Sequence, residues 1–329
     1  MRGLDGAGSM SEGSGAKRAP FAKVLSAVCA LALTLGLAGC TLFIPSRSEV
    51  EEETVSASLS SPTIAEDGVL TVAMNTSDAP QSMTGSDGDL EGYDIDVALA
   101  IADQLGLSVK VIDSSSAADA INNQGADIYI GVDSDYVADG LTATEVYLQD
   151  ATAIFTNTSS ISADSVSATS MEGATVGVQE SSASQDALTR AGILSTQQTY
   201  SNVNECFEAL EAGEVDYVAC DATSGAYLAR MYSDISFAGT ISATSSYVIV
   251  MSESNEELVT AVTDALEDVE GDGTLDALHT AWYGDLPTSL TGLQIEGVTV
   301  EDEEGEEESS EVSSEDEDLM VTDDINSLD

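Results

Sequence analysis

Positively charged side chains are scarce in this sequence. Its 329 residues contain 8 lysines and arginines against 60 aspartates and glutamates, so the formal net charge is −52 at pH 7. Nucleic acid, itself a polyanion, would be repelled by such a chain and is excluded as a partner. Four cysteines and one histidine are too few for a zinc finger, and we predict neither a metal nor a cofactor. With 43% hydrophobic residues, the chain can still build a core in one large or two ordinary domains.

The sequence also lacks a hydrophobic run long enough to cross a membrane comfortably. The run from Val24 to Ala38 has the length of a signal-peptide core and follows several basic residues. It ends in Leu37-Ala38-Gly39-Cys40, which resembles a bacterial lipobox. The resemblance implies that residues 1–39 are cleaved as a signal peptide and that lipidated Cys40 anchors an extracytoplasmic protein to the cell membrane. The alternative is an ordinary secretory cleavage site with a coincidental cysteine.

Two segments lack the hydrophobic periodicity of a folded region. Residues 40–63 are rich in Ser and Glu, which predicts a flexible tether. Residues 288–329 are predicted to form a disordered acidic tail, since 301–329 contain 15 acidic residues and no basic one. Cation buffering or contact with a cell wall would be a function for this tail. The alternative is a solvated, repulsive segment without a function of its own.

Between these segments, apolar runs alternate with amphipathic stretches. Runs at Val69–Ala73, Val109–Ile112 and Ile128–Val132 predict strands, with helices near 94–105 and 116–124. This alternation is typical of a parallel α/β sheet, and a second copy of it follows. The second copy has predicted strands at Ala174–Val178, Val215–Cys220 and Tyr247–Met251, and predicted helices at 184–191 and 203–212. We therefore expect two α/β lobes, with a ligand site beyond the carboxyl ends of their strands.

Several short motifs occur in order along this α/β region. They are Gly92-Tyr93-Asp94-Ile95-Asp96, Gly125-Ala126-Asp127-Ile128, Val176-Gly177-Val178-Gln179, Leu210-Glu211-Ala212-Gly213-Glu214-Val215-Asp216-Tyr217 with Asp221, and Gly273-Thr274-Leu275 with Trp282-Tyr283-Gly284. As an ordered set behind a lipobox, they resemble the extracellular solute-binding proteins of family 3, which serve amino-acid ABC importers. The resemblance implies a substrate-binding lipoprotein that is not an enzyme. Its partners would be an amino acid or related amine, ABC permease subunits and the membrane.

The resemblance also implies a type II periplasmic-binding fold, in which two α/β lobes joined by two crossover strands close on a small ligand. Lobe 1 would comprise residues 64–150 and 245–287, and lobe 2 residues 151–244. The crossovers are expected near Leu148–Thr152 and Ser242–Ser246. Two alternatives stay open: a dehydratase-like enzyme on the same fold, and a degenerate relative that lost its ligand and serves as a surface or sensory protein.

The resemblance assigns ligand-binding roles to residues at the strand ends. An Arg after the strand corresponding to Ile128–Val132 usually holds the ligand α-carboxylate in this family, but Ala138 occupies that position here. Asp221 matches the carboxylate that accepts the ligand amino group. Ser181 and Ser182 match the loop that meets the carboxylate at a helix start. All three retained residues have helix capping as an alternative role.

The remaining candidate ligand-binding residues are Asn75, Asp78, Gly131, Asp133 and Asp135. Asn75 aligns with a position that reads the ligand side chain, and Asp78 stands where an aromatic often stacks on the ligand. Carboxylates at positions 78, 133, 135 and 221 would surround one cleft, and a bound cation would relieve their repulsion. We therefore predict a cationic or amine-bearing ligand. The alternative is that Asp133 and Asp135 only cap turns on an acidic surface.

Cys206 and Cys220 lie on a predicted helix and on the strand that returns from it. A disulfide between them is feasible outside the cell, and two buried thiols are the alternative. The single histidine, His279, is expected to face solvent on a C-terminal helix, without a catalytic partner.

Overall fold

The computed structural model describes residues 56–299. The strands are β1 (Val69–Met74), β2 (Met83–Thr84), β3 (Leu90–Glu91), β4 (Ser108–Asp113), β5 (Ile128–Asp133), β6 (Leu141–Ala143), β7 (Leu148–Asp150), β8 (Thr152–Asn157), β9 (Thr175–Gln179), β10 (Thr196–Tyr200), β11 (Tyr217–Asp221), β12 (Ile235–Thr240) and β13 (Ser245–Ser252). The α-helices are α1 (Tyr93–Gln104), α2 (Ala117–Asn123), α3 (Ala183–Arg190), α4 (Val203–Ala212), α5 (Ala222–Ala229), α6 (Glu256–Gly271) and α7 (Thr274–Tyr283). Within residues 56–299, no helix is long and apolar enough to span a membrane. The predicted signal peptide, Cys40 and residues 301–329 lie outside this range.

The first sheet has the strand order β4-β1-β5-β13-β6, with β7 also paired to β13. Strands β4, β1 and β5 are parallel, whereas β13 runs antiparallel to β5, β6 and β7. Strand β1 is buried from Leu70 to Met74, as a central parallel strand requires. The Asp127 carboxylate fixes the edge of this sheet by accepting hydrogen bonds from the backbone N–H groups of Ala65 and Thr71, at 2.8 and 2.7 Å.

The second sheet has the order β10-β9-β11-β8-β12. Strand β9 is parallel to β10 and β11, and β8 is antiparallel to β11 and β12. Both sheets are therefore mixed rather than purely parallel. The antiparallel strands are β8 and β13, and each is the first strand after the chain crosses from one sheet to the other.

The chain crosses between the sheets twice. Only Ala151 separates β7 of the first sheet from β8 of the second, and residues 241–244 return the chain from β12 to β13. A short connection of this kind lets two packed layers rotate about a few backbone torsions. The expected architecture of two α/β lobes joined by crossovers is confirmed.

The chain packs on the lobes further toward both ends than we expected. Leu59 is buried and the Ser58 N–H donates to the Leu105 carbonyl at 3.0 Å, so the tether prediction is wrong for residues 56–63. After α7, buried Ile295 hydrogen-bonds through its N–H to the Thr240 carbonyl at 2.9 Å. The prediction of a disordered tail is therefore wrong for residues 288–299. In both segments, a few apolar side chains pack on the hydrophobic surface of the lobes, and this packing cannot be predicted from the composition of the segment.

Two side-chain predictions also need correction. His279 is buried, not solvent-facing, because α7 packs its ring edge against Tyr93 and Tyr283, with centroid distances of 6.2 and 5.1 Å. Cys206 and Cys220 are buried, free thiols, so the disulfide is not formed and the alternative of two buried thiols describes the structure.

Candidate functional site

A cavity of about 380 Å³ lies where the two lobes meet the crossovers. Its lining comes from the loop after β1, the start of α1, the end of β5, both crossovers and the starts of α3 and α5. The lining residues are Asp78, Ala79, Gln81, Asp94, Gly131, Tyr147, Leu148, Asp150, Ala151, Thr152, Ala183, Asp221, Thr223, Ser224, Ser242, Ala243, Ser245 and Tyr247. Four of these residues are aspartates and none is a lysine or arginine.

Asp94 forms the wall of the cavity on lobe 1. Gly92 precedes α1 with a φ of +149°, and a side chain there would collide with the Gln81 carbonyl, so only glycine permits this close approach. The Asp94 N–H donates to that carbonyl at 2.9 Å, which fixes the first turn of the helix. The Asp94 side chain is 4% exposed, and its Oδ1 accepts a hydrogen bond from the Tyr147 hydroxyl at 2.8 Å.

Burial raises the pKa of the Asp94 carboxyl to about 7. The hydrogen bond from Tyr147 opposes this shift, and the nearby charge of Asp78 adds to it. The Asp94 carboxylate therefore binds a proton more tightly than an exposed aspartate does.

Asp150 ends β7 at the first crossover and is also buried. Its Oδ1 accepts from the Ala151 and Thr223 N–H groups at 2.8 and 3.1 Å, and its Oδ2 accepts from the Thr223 hydroxyl at 2.5 Å. Burial and the charge of Asp221 raise the pKa of the Asp150 carboxyl to about 7, although the Thr223 hydrogen bonds lower it. Asp150 thus stabilises the first turn of α5, and both of its carboxylate oxygens already accept hydrogen bonds from protein groups.

Asp221 stands on lobe 2, at the carboxyl end of β11 and the N-cap position of α5. Its side chain makes no capping hydrogen bond; instead, its Oδ1 accepts from the Ser184 hydroxyl at 3.0 Å. Capping, the alternative role considered from the sequence, does not occupy this carboxylate. Desolvation in the cleft raises the pKa of Asp221, with Ser184 opposing the shift.

Asp78 interacts by charge with two other carboxylates of the cleft, Asp94 and Asp221. Desolvation and then the charge of Asp221 raise its pKa, while its own charge acts on Asp94. The four aspartates therefore form a chain of mutually repelling groups from lobe 1 to lobe 2. Within residues 56–299, the ion pair present joins Lys110 to Glu66 at 3.6 Å, and neither residue lines the cavity.

The cavity contains three of the eight candidate ligand-binding residues: Asp78, Gly131 and Asp221. The other five do not line it and make local hydrogen bonds. Asn75 accepts from the Ser77 N–H, Asp133 from the Asp135 N–H, and Ser182 from the Gln185 N–H that it caps. The Ser181 N–H donates to the Gln185 side chain. The side chains of Asn75, Asp133 and Ser182 therefore serve local turns or a helix start, whereas Asp135 and Ser181 take part through their backbone N–H groups.

Sequence reasoning missed Asp94, Tyr147, Asp150 and Thr223 as cleft residues. Asp94 belongs to a motif that carries the family resemblance, which was a usable signal. Asp150 is an acidic residue at the end of a short buried strand, a combination that is costly unless the side chain is partnered. Tyr247 lines the cavity, whereas Tyr93 is fully buried in the core behind it.

The sequence profile of bacterial extracellular solute-binding proteins, family 3, matches residues 70–285. The chain belongs to this family. The match covers both sheets and all four aspartates of the cleft. This is a family of solute-binding proteins and not of enzymes, and the protein is an extracellular solute-binding protein of the amino-acid ABC transporter type.

Individual relatives are distant. The L-cystine-binding protein TcyJ of Escherichia coli K12 is 23% identical over 237 residues, or 67% of this chain and 85% of that protein. A polar amino acid ABC uptake transporter substrate-binding protein from Streptococcus thermophilus superposes with a TM-score of 0.59 at 20% identity, covering 68% of this chain and 88% of that one. The ancestral cationic amino acid solute-binding protein AncCDT-1 superposes with a TM-score of 0.56 at 22% identity, covering 66% and 96%. Both structures establish the type II periplasmic-binding fold for this family member.

Proposed function

We propose that this family 3 protein is the binding subunit of an ABC importer for a cationic amine or basic amino acid. The observation that carries the proposal is the charge of the cleft. Asp78, Asp94, Asp150 and Asp221 border one cavity, and its lining contains no cationic side chain. An acidic ligand would add repulsion, whereas an ammonium or guanidinium group would offset it.

The relatives support the broader class of solute. TcyJ is an L-cystine-binding protein, and the Streptococcus thermophilus structure is a binding protein for polar amino acids. Both point to a small, polar, nitrogen-containing ligand. The narrower assignment to cations comes from the four aspartates and from the Ala138 position, where the family usually has an Arg.

Ligand binding would close the lobes without chemistry. A cation that touches Asp94 on one lobe and Asp221 on the other would hold the two lobes together. Such a ligand favours the closed state by its differential affinity for it. The permease would recognise the surface that closure creates.

Thermal melting of the full-length protein in detergent tests the ligand class. Basic amino acids and amines should raise the melting temperature, by the equivalent of about 2.7 kcal/mol at one hundred times the dissociation constant. Asp221→Asn should remove the shift, and Asp164→Asn, which neutralises an exposed aspartate of lobe 2, should keep it. Greater stabilisation by acidic amino acids would contradict the proposal. A panel without any shift would favour a degenerate relative that has lost its ligand.

We further propose that Cys40 carries a lipid anchor, on the basis of the Leu37-Ala38-Gly39-Cys40 motif. Metabolic labelling with a palmitate analogue should mark the wild-type protein and fail to mark Cys40→Ala. The variant should also leave the membrane fraction. Labelling of Cys40→Ala would show that the motif does not direct lipidation.

A further inference from the structure

Among the residues that the structure describes, three carboxylates of the cleft have an oxygen without a hydrogen-bond donor: Asp78 and Asp94 on lobe 1 and Asp221 on lobe 2. We propose that the ligand is a dication without a carboxylate, an α,ω-diamine or polyamine, whose ammonium groups bind Asp94 on lobe 1 and Asp221 on lobe 2. This inference rests on the proposed function and narrows it from cationic solutes to those with two separated charges.

Asp94 provides the first ammonium position. Its carboxyl is more than nine-tenths buried, and only Oδ1 has a partner, the Tyr147 hydroxyl at 2.8 Å. Among the described residues, none donates a hydrogen bond to Oδ2. A Cβ at Gly131 would lie 3.1 Å from that oxygen, so the glycine leaves open the space in front of it. Gly131 also has a φ of +89°, which disfavours a side chain. A buried carboxylate oxygen that faces a cavity through such an opening is suited to an ammonium donor.

Asp221 provides the second position. Its Oδ1 accepts from Ser184 at 3.0 Å, and its Oδ2 receives no hydrogen bond from the residues that the structure describes. The carboxylate stands at the end of β11, on the sheet opposite to that of Gly131. The family resemblance gives this residue the ligand ammonium, and Asp94 would add a second ammonium position on the other lobe.

Asp150 does not compete for the ligand in the same way. Its two oxygens accept three hydrogen bonds, from Ala151 and Thr223, and its role is therefore to stabilise the start of α5. The Gln81 side chain donates to the Thr223 hydroxyl at 2.8 Å and extends this network to lobe 1. Asp150 contributes negative potential to the cleft. Asp78 adds to this potential on lobe 1, where its carboxylate lines the cavity near the first ammonium position.

The ligand carboxylate of an ordinary amino acid has no cationic partner here. Every ionised side chain that lines the cavity is an aspartate, and position 138 holds alanine. A ligand carboxylate would be repelled by these aspartates, and a monoamine could bind an aspartate on one lobe only. A diamine satisfies both lobes and couples its binding to their approach.

Isothermal titration calorimetry of the full-length protein in detergent distinguishes these cases. The probes are cadaverine, its monoamine analogue n-pentylamine, and lysine, which has the same two amines and a carboxylate. Cadaverine should bind at least about tenfold more tightly than either, since a charge-assisted hydrogen bond to a buried group is worth that much. Putrescine and spermidine extend the panel to other spacings of charge.

Asp94→Asn keeps an acceptor for Tyr147 and should abolish the preference for diamines over n-pentylamine. Asp103→Asn is the matched control, since it neutralises an exposed aspartate of the same helix, α1, away from the cleft. If Asp94→Asn does not fold, as judged by circular dichroism, Asp221→Asn should remove the same preference from the other lobe.

The outcomes separate the two proposals. Lysine or n-pentylamine binding as tightly as the diamines would overturn the dication inference and leave a cationic ligand in place. A diamine preference unchanged in Asp94→Asn and Asp221→Asn would also overturn it. Binding of none of these amines would contradict both proposals.

Discussion

At the scale of single residues, the Asp94 carboxyl has exchanged its hydration for one hydrogen bond from Tyr147. A buried carboxyl with a single donor favours its protonated form, and the neighbouring Asp78 charge reinforces this preference. Asp150 differs because it has three donors, yet burial and Asp221 still raise its pKa to about 7.

The ligand-free protein should become less stable as the pH rises from 5 to 8. The pKa of Asp94 is 3.8 when unperturbed and about 7 in the folded state, so the folded state retains a proton that the unfolded chain releases. The free energy of unfolding then falls with pH across that window, by on the order of a few kcal/mol in total with Asp150. Melting temperatures measured by calorimetry at both pH values check this expectation. Asp94→Asn should reduce the dependence, leaving the contribution of Asp150, and Asp103→Asn should not; equal slopes in all three proteins would contradict the pKa assignment.

Three of the candidate residues, Asp78, Gly131 and Asp221, were found because the family resemblance points to the carboxyl ends of strands, and these three lie in or after a strand end that reaches the cleft. The same reasoning included Asp133 and Asp135, whose position near a strand end was right but whose contacts are local. A strand end restricts a residue to a region of the fold. Which way its side chain points depends on the turn that follows.

At the scale of elements, α5 depends on a glycine in its middle. A Cβ on Gly225 would collide with the Phe155 ring of β8 and lie 2.7 Å from the Cys220 Sγ of β11. The absence of a side chain lets the helix lie directly on the second sheet. This close packing positions the start of α5, where Thr223 and Asp221 line the cleft.

Gly225→Ala should destabilise the protein, although alanine is normally the better helix former. Overpacking of a core costs about 1–3 kcal/mol, which exceeds the helix propensity gain of about 1 kcal/mol. Gly271→Ala is the matched control: it lies at the end of α6 with no atom within 4 Å of its added Cβ, and should be neutral or stabilising. Urea unfolding of both variants measures the difference. Equal stability of the two variants would show that α5 can move away from the sheet at little cost.

The elements with strong apolar periodicity were predicted within one or two residues, as α1, α2, α4, β4, β5 and β9 illustrate. Strand β10 was not predicted, because Thr196-Gln197-Gln198-Thr199-Tyr200 has no apolar alternation. It forms by pairing with β9 at the edge of the sheet. The segment 288–299 was missed for a similar reason, since its partner Thr240 lies far away in sequence.

At the scale of the whole molecule, a net charge of −52 acts on both stability and binding. Like charges on a compact surface repel one another, and this repulsion is weaker in the expanded, unfolded chain. The same field attracts cations to the cleft. Dissolved salt screens both effects, because the Debye length falls from about 30 Å at 0.01 M to about 8 Å at 0.15 M.

Raising sodium chloride from about 0.01 M to about 0.15 M should therefore move two measured quantities in opposite directions. The melting temperature of the ligand-free protein should rise, since self-repulsion is screened. The affinity for a cationic amine should fall, since its attraction to the cleft is screened as well. Calorimetry and titration at both salt concentrations test this pair of trends. An amine affinity that increases with salt would contradict an electrostatically recognised cation.

The sequence by itself determined the sign of the charge, the α/β rhythm, the family and the two-lobed fold. These properties depend on local features of the sequence, namely its composition, its periodic apolar runs and the order of its short motifs. The tertiary structure alone decided which carboxylates share the cleft. Asp94, Asp150 and Asp221 lie on a helix, a crossover and a strand end that are far apart in sequence. They meet because two sheets pack around a pair of short crossovers, and burial at that junction gives their carboxyl groups the raised pKa values that an isolated segment would not show.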